Sequence, residues 1–138
     1  MAIQFAPKRK SILLCDFSKG GFLPPEMVKR RPVLVIFGRS HARTGLATIV
    51  PLSTTETRGN PYFVVPIQLA TPLPHPFEAK RMFAKCDMIT TVGFHRLDLF
   101  RSNRNQKGKR AYTNFQLDDE QFASVLTGIK YVVDPSSS

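Results

Sequence analysis

The division of the apolar residues into short runs constrains this chain more than any other feature. Six runs of strand length, at 11–17, 32–37, 46–52, 62–69, 79–86 and 88–92, are parted by segments rich in Gly, Pro and polar residues. The run 32–37 is apolar throughout and rich in β-branched residues, which predicts a buried strand, and Pro32 suits a first strand position, where no ladder donor is needed. Helical spacing appears only near the end. Phe122, Val125, Leu126 and Ile129 follow it, Asp118 and Gln121 stand at capping-box spacing, and Leu117 and Phe122 match the flanking hydrophobic staple. Several short strands and one late helix predict a mainly β chain, a small barrel or curled sheet closed by a helix. No internal repeat or linker interrupts the pattern. A chain of 138 residues with 42% hydrophobic residues fits one domain with a core of its own. The basic residues about 1–10 read as a flexible arm, and about 134–138 as a loose tail.

Charge narrows the function. Twenty Lys and Arg face ten Asp and Glu, a formal net charge of +10. The cations cluster at 8–10, 29–31, 80–81 and 101–110. Such an excess fits a phosphate-bearing partner, with a merely solubilising surface the weaker reading. The segment 101–110 has no apolar residue and is expected to be exposed. Cys15 and Cys86 are too few for a disulfide framework, lack metal-ligand spacing and read as reduced packing thiols. His41, His75 and His95 lie far apart, no phosphate-cradling glycine loop is present, and neither a metal nor another cofactor is expected. No secretory core segment or membrane-length apolar run is visible, so the expected location is cytoplasmic.

Three segments offer groups for RNA cleavage without a metal ion, which needs a base at the ribose 2′-OH, fixed donors around the phosphorane and an acid at the leaving 5′-oxygen. Arg31 stands at the mouth of the buried strand; its planar fork suits two phosphate oxygens. Ser53, Thr54 and Thr55 follow the third strand. Lys85 and Asp87 flank Cys86 between two expected strands. Taken singly, each also fits an ordinary surface cation, a turn or an exposed ion pair.

In order and spacing, the segment Arg31-Pro32-Val33-Leu34-Val35-Ile36, the segment Val50-Pro51-Leu52-Ser53-Thr54-Thr55 and the segment from Lys85-Cys86-Asp87 to Val92 together resemble the MazF/PemK toxin family, as does Leu14-Cys15-Asp16-Phe17. The resemblance implies an SH3-like barrel of the CcdB/PemK type, working as a homodimer that cuts single-stranded RNA and is held inactive by an antitoxin. It implies catalytic roles for Arg31, Ser53, Thr54, Lys85 and Asp87, and RNA contact by Tyr62. Lys19, Arg30, Arg58 and Arg81 are further candidates for RNA binding. Lys85 departs from the family's Arg. The first loop has no His where one branch uses one, and either Glu26 or Lys19 occupies that space. Two other readings stand beside this one. A gyrase poison on the same fold, as in the CcdB toxins, is opposed by the absence of Trp and the terminal Asp134-Pro135-Ser136-Ser137-Ser138. A non-catalytic RNA-binding barrel fits the charge alone.

Overall fold

A computed structural model describes residues 2–18, 21–38, 44–59, 61–104 and 110–137, without the side chains of 102–104, 110–113 and 137. Strands β1 (Ser11–Asp16), β2 (Arg30–Phe37) and β3 (Leu46–Ser53) form an antiparallel meander. β4 (Val64–Gln68), β5 (Arg81–Lys85), β6 (Thr90–Gly93) and β7 (Leu97–Asp98) follow, then β8 (Phe100–Arg104), β9 (Arg110–Thr113), β10 (Phe115–Gln116) and helix α1 (Asp119–Val133). The sheet runs in the order β10-β1-β2-β3-β5-β4.

Two strands each share one edge between two partners, and this curls the sheet. The first half of β3 pairs with β6 through Leu46–Ile49, while Leu52 and Ser53 pair with Ala84 and Phe83 of β5. β1 likewise pairs with β10 at Ser11 and Ile12 and with β7 at Leu14 and Cys15. A register shift between Val35 and Phe37 lets β2 follow the bend. The architecture is the mainly β, helix-closed form expected from the runs.

Curling buries both faces of the central strands, which is why β2 reads as an unbroken apolar run. Ile12, Leu34, Val50, Leu52, Met82 and Ala84 point to one side and meet Phe122 and Val125 of α1 in the main core. Leu13, Cys15, Val33, Val35, Ala47 and Ile49, their neighbours along the same strands, build a second core with Phe17, Val92 and Leu97. The helix lies close on the sheet at Gly128, where an added Cβ would come within 2.9 Å of Cys86 Sγ and Val65 Cγ2. Among the described residues no helix is long and apolar enough to cross a membrane.

β4 is an edge strand with one buried side: Val65 and Ile67 are buried, Pro66 and Gln68 exposed. Its Val64 amide donates to the Pro61 carbonyl at 3.0 Å. The Gln68 amide donates to Gln121 Oε1 at 2.6 Å, and Gln121 Nε2 donates back to the Gln68 carbonyl at 2.9 Å. The helix start combines these duties. Asp118 accepts from the Gln121 amide at 2.8 Å as the N-cap, which also holds its carboxyl below the usual carboxylate range. The Gln121 side chain is turned to Asp118 Oδ2 and to β4, instead of to the N-cap amide that a capping box would use.

Two segments differ in detail from the sequence expectation. The stretch around 101–110 supplies strand residues at both ends, with Phe100 opposite Thr113, Arg101 opposite Tyr112 and Arg104 opposite Arg110. Arg101 is exposed as expected; 105–109 lie outside the described residues. Residues 3–10, expected as an arm, lie along the sheet: the Ile3 amide donates to the Leu97 carbonyl and that of Lys10 to the Val35 carbonyl. At the other end Pro135–Ser137 forms one short 3₁₀ turn.

Candidate active site

The expected catalytic residues converge at one end of three adjacent strands, on the side of the second core. In β2 and β3, Val33 pairs with Pro51. Two residues nearer that end stand Arg31, entering β2, and Ser53, leaving β3. In β5, Met82 and Ala84 face the main core, so strand alternation turns Arg81, Phe83 and Lys85 the other way. Lys85 closes β5, and Asp87 follows it in the short 3₁₀ turn Cys86–Met88.

Lys85 is the most constrained of these groups. It is only 9% exposed. Its ammonium donates to the Thr55 carbonyl at 2.8 Å and to Thr57 Oγ1. Three N–H donors serve two protein acceptors, which leaves one for another group. Burial pushes its pKa below the ordinary lysine value; Asp87 opposes the shift and Arg31 adds to it. Ser53 is buried too, and its Oγ accepts from the Thr55 amide at 3.1 Å, leaving its own O–H to donate. Both residues therefore fasten the loop that begins with exposed Thr54. The sequence offered no signal linking Thr55 and Thr57 to Lys85.

Arg31 is half-buried, and its Nε is a buried donor without a hydrogen-bond partner. Buried donors are rarely left so, and a guanidinium with spare donors suits an incoming oxyanion. Asp87 is exposed and lines a cavity of about 270 Å³ together with loop residues Phe22, Glu26 and Met27. Glu26 thus faces the site from the first loop; Lys19 lies outside the described residues.

The residues expected to bind RNA are dispersed. Arg81 shares the face of Lys85 further along β5, its guanidinium 5.3 Å above the Phe83 ring. Tyr62 is 78% exposed, its ring centroid 5.5 Å from that of Tyr131. It adjoins the Asp87 turn, because the Cys86 amide donates to the Phe63 carbonyl at 3.0 Å. Arg58 is exposed in the loop after β3. Arg30, next to Arg31 in an extended strand, points to the opposite face and lines a groove of about 650 Å³ with Lys29, His75 and Arg101.

Both thiols are buried and pushed up to about 12, chiefly by burial, so neither is a nucleophile near neutral pH. Among the described residues no three His, Cys, Asp or Glu side chains converge as a metal site would require.

Comparison with known proteins bears on the family and the fold. The family model described as PemK-like, MazF-like toxin of type II toxin-antitoxin system matches residues 8–133. The uncharacterized protein YifN of Escherichia coli (strain K12) is 30% identical over 146 residues, covering 94% of this chain and 93% of that protein. Among solved structures, an endoribonuclease in complex with its cognate antitoxin from Mycobacterial species superposes with a TM-score of 0.58 at 19% identity, over 93% of this chain and 95% of the other. MazF from Deinococcus radiodurans does so with a TM-score of 0.59 at 16% identity, over 94% and 98%. The fold is thus shared across nearly the whole chain, and by its match to the family model the chain belongs to the PemK-like, MazF-like toxins of type II toxin–antitoxin systems.

Proposed function

We propose that this toxin is an endoribonuclease that cuts single-stranded RNA through the substrate's own 2′-OH. The observation that carries the reading is the buried Lys85 ammonium, its pKa lowered, at the same end and face as Arg31 and Ser53. Asp87 takes the 2′-OH proton, O2′ bonds to phosphorus, and the bond from phosphorus to O5′ breaks. Lys85 gives its proton to O5′, a transfer that its lowered pKa favours. Arg31 holds two non-bridging oxygens, and the hydroxyls of Ser53 and Thr54 donate to the charge that grows on the phosphorane. Because the nucleophile is built into the RNA, orientation and charge stabilisation supply most of the acceleration.

The similarity to an endoribonuclease solved with its antitoxin supports an antitoxin partner as a further part of the reading. The working form is a homodimer in the cytoplasm, and an acidic segment of a cognate antitoxin occupies the basic RNA surface to silence it. Arg58, Arg81 and Tyr62, with Lys19 from the first loop, hold the RNA strand around the cut; Arg30 extends the basic track onto the opposite face. Neither a metal ion nor another cofactor takes part.

End analysis on a long RNA of known sequence tests the chemistry. The products should carry 2′,3′-cyclic phosphate and 5′-OH ends, and EDTA should leave the rate unchanged. Replacing the ribose 5′ of the cut by deoxyribose should abolish cleavage and leave binding nearly intact. Products with 5′-phosphate ends, or cutting of the deoxy substrate, would refute it; RNA binding with no cleavage would identify a non-catalytic binding module instead.

A further inference from the structure

The cavity beside Asp87 has chemistry that the cleavage reaction alone does not require. It measures about 270 Å³ and is walled by Phe17, Phe22, Met27 and Met88. Phe17 and Phe22 meet edge to face with centroids 5.6 Å apart, which fixes one wall. The volume falls just below the roughly 300–1,000 Å³ of sites for drug-sized ligands, and flat apolar walls suit one unstacked base. Two of the chain's ten acidic residues, Glu26 and Asp87, line it in a protein of net charge +10. Carboxylates there repel a phosphate and accept from N–H donors. Glu26 is held in place by the Leu23 amide, which donates to Oε1 at 3.3 Å, and its remaining lone pairs are available.

We infer that this cavity is a nucleobase-recognition pocket, and that Glu26 selects guanine at a position next to the scissile bond. The inference rests on the reading of the protein as an RNA-cutting toxin and adds its specificity. Guanine presents two adjacent donors on its Watson–Crick edge, N1–H and the N2 amino group, which match the two oxygens of a carboxylate. Adenine and cytosine present one exocyclic amino group there, and the single N–H of uracil is flanked by two carbonyls that a carboxylate repels. Asp87, on the same cavity, places the bound base next to the ribose whose 2′-OH reacts.

The test uses the full-length chain and two readouts. Cleavage sites mapped on a long RNA should share a guanine at one fixed position beside the cut. Uncleavable 2′-O-methyl oligonucleotides carrying that motif should bind more tightly than versions with inosine there, which lacks only the N2 amino group, or with adenine. The expected ratio for guanine over adenine is roughly 5- to 150-fold, the discrimination of one good bidentate pair. Glu26→Gln, at an exposed loop position, should keep the wild-type circular dichroism and lose most of that ratio. Cleavage without a guanine preference, equal binding of guanine and inosine, or an undiminished ratio in E26Q would overturn the inference. Guanine-selective binding without cleavage would strike the nuclease reading and uphold the pocket.

Discussion

The two faces of the sheet use the same strands for opposite ends. Toward the helix, Leu34, Val50, Leu52, Ala84 and Val125 are fully buried, and apolar groups fill the space. Toward the first loop, their immediate neighbours begin as a core of Val33, Val35 and Ile49 and end in Arg31, Ser53 and Lys85. The difference shows how a small domain can keep charged, partly desolvated groups rigid. Each is carried by a strand whose other face is locked in hydrophobic packing, so the geometry of the site comes from residues that never touch it.

That comparison can be broken by exchanging effects between the faces. Truncation on the helix side should have the largest consequence. Leu52→Ala removes a fully buried side chain and should destabilise the fold by about 2–5 kcal/mol in urea unfolding. Its specific activity per folded molecule should stay within a few-fold of wild type. A loss of activity out of proportion to the loss of folded protein would mean that the two faces are not separable.

Arg31→Ala should do the reverse. Losing one preorganised donor costs on the order of 100-fold or more in the rate of the chemical step. The urea midpoint should hardly move, because this half-buried guanidinium carries a buried nitrogen without a partner. A large fall in stability with near-normal turnover would show that Arg31 belongs to the scaffold.

The third expectation sharpens the chemistry within the charged face. In the proposed mechanism Lys85 is an acid in its protonated form, and its pKa lies below the ordinary lysine value. The rate should therefore decline as pH rises through that lowered value. Lys85→Arg, protonated until beyond about 12, should remove this alkaline limb while lowering the plateau, since the fork fits the Thr55 and Thr57 acceptors differently. Folding responds with the opposite sign. The unfolded chain binds this proton more tightly, so the contribution of Lys85 to stability is unfavourable below the depressed pKa and is relieved as pH rises toward the ordinary one. An alkaline limb that persists unchanged in K85R would assign it to another group.

Much of this organisation is legible in the sequence, for physical reasons that vary by element. The run 32–37 announced β2, because a strand buried on both faces has no polar residue to blur it. The helix start was marked by Asp118 and its spacing to Gln121. The hairpin of β8 and β9 was hidden, since a basic stretch without apolar residues carries no period, and the pairing there is a backbone matter. At the candidate site, Arg31, Ser53, Lys85 and Asp87 stand out only when their three segments are taken together, through the resemblance to a known family. The clasp of Lys85 on Thr55 and Thr57 could not be read from the sequence, because it joins residues about thirty positions apart through the curl of the sheet. The cavity shared by Glu26 and Asp87 is invisible for the same reason.

The edge strand β4 has a consequence for assembly. Amides alternate sides along a strand, and those of 64, 66 and 68 point away from β5, as the bond from Gln68 to Gln121 shows. On that side Val64 is already committed to Pro61, Pro66 has no N–H, and Gln68 is committed to the helix. β4 therefore offers an arriving strand no hydrogen-bond donor. Sheet growth stops there, which protects the molecule from edge-to-edge aggregation at high concentration. In the proposed homodimer a second copy would therefore not be joined by extending the sheet across β4.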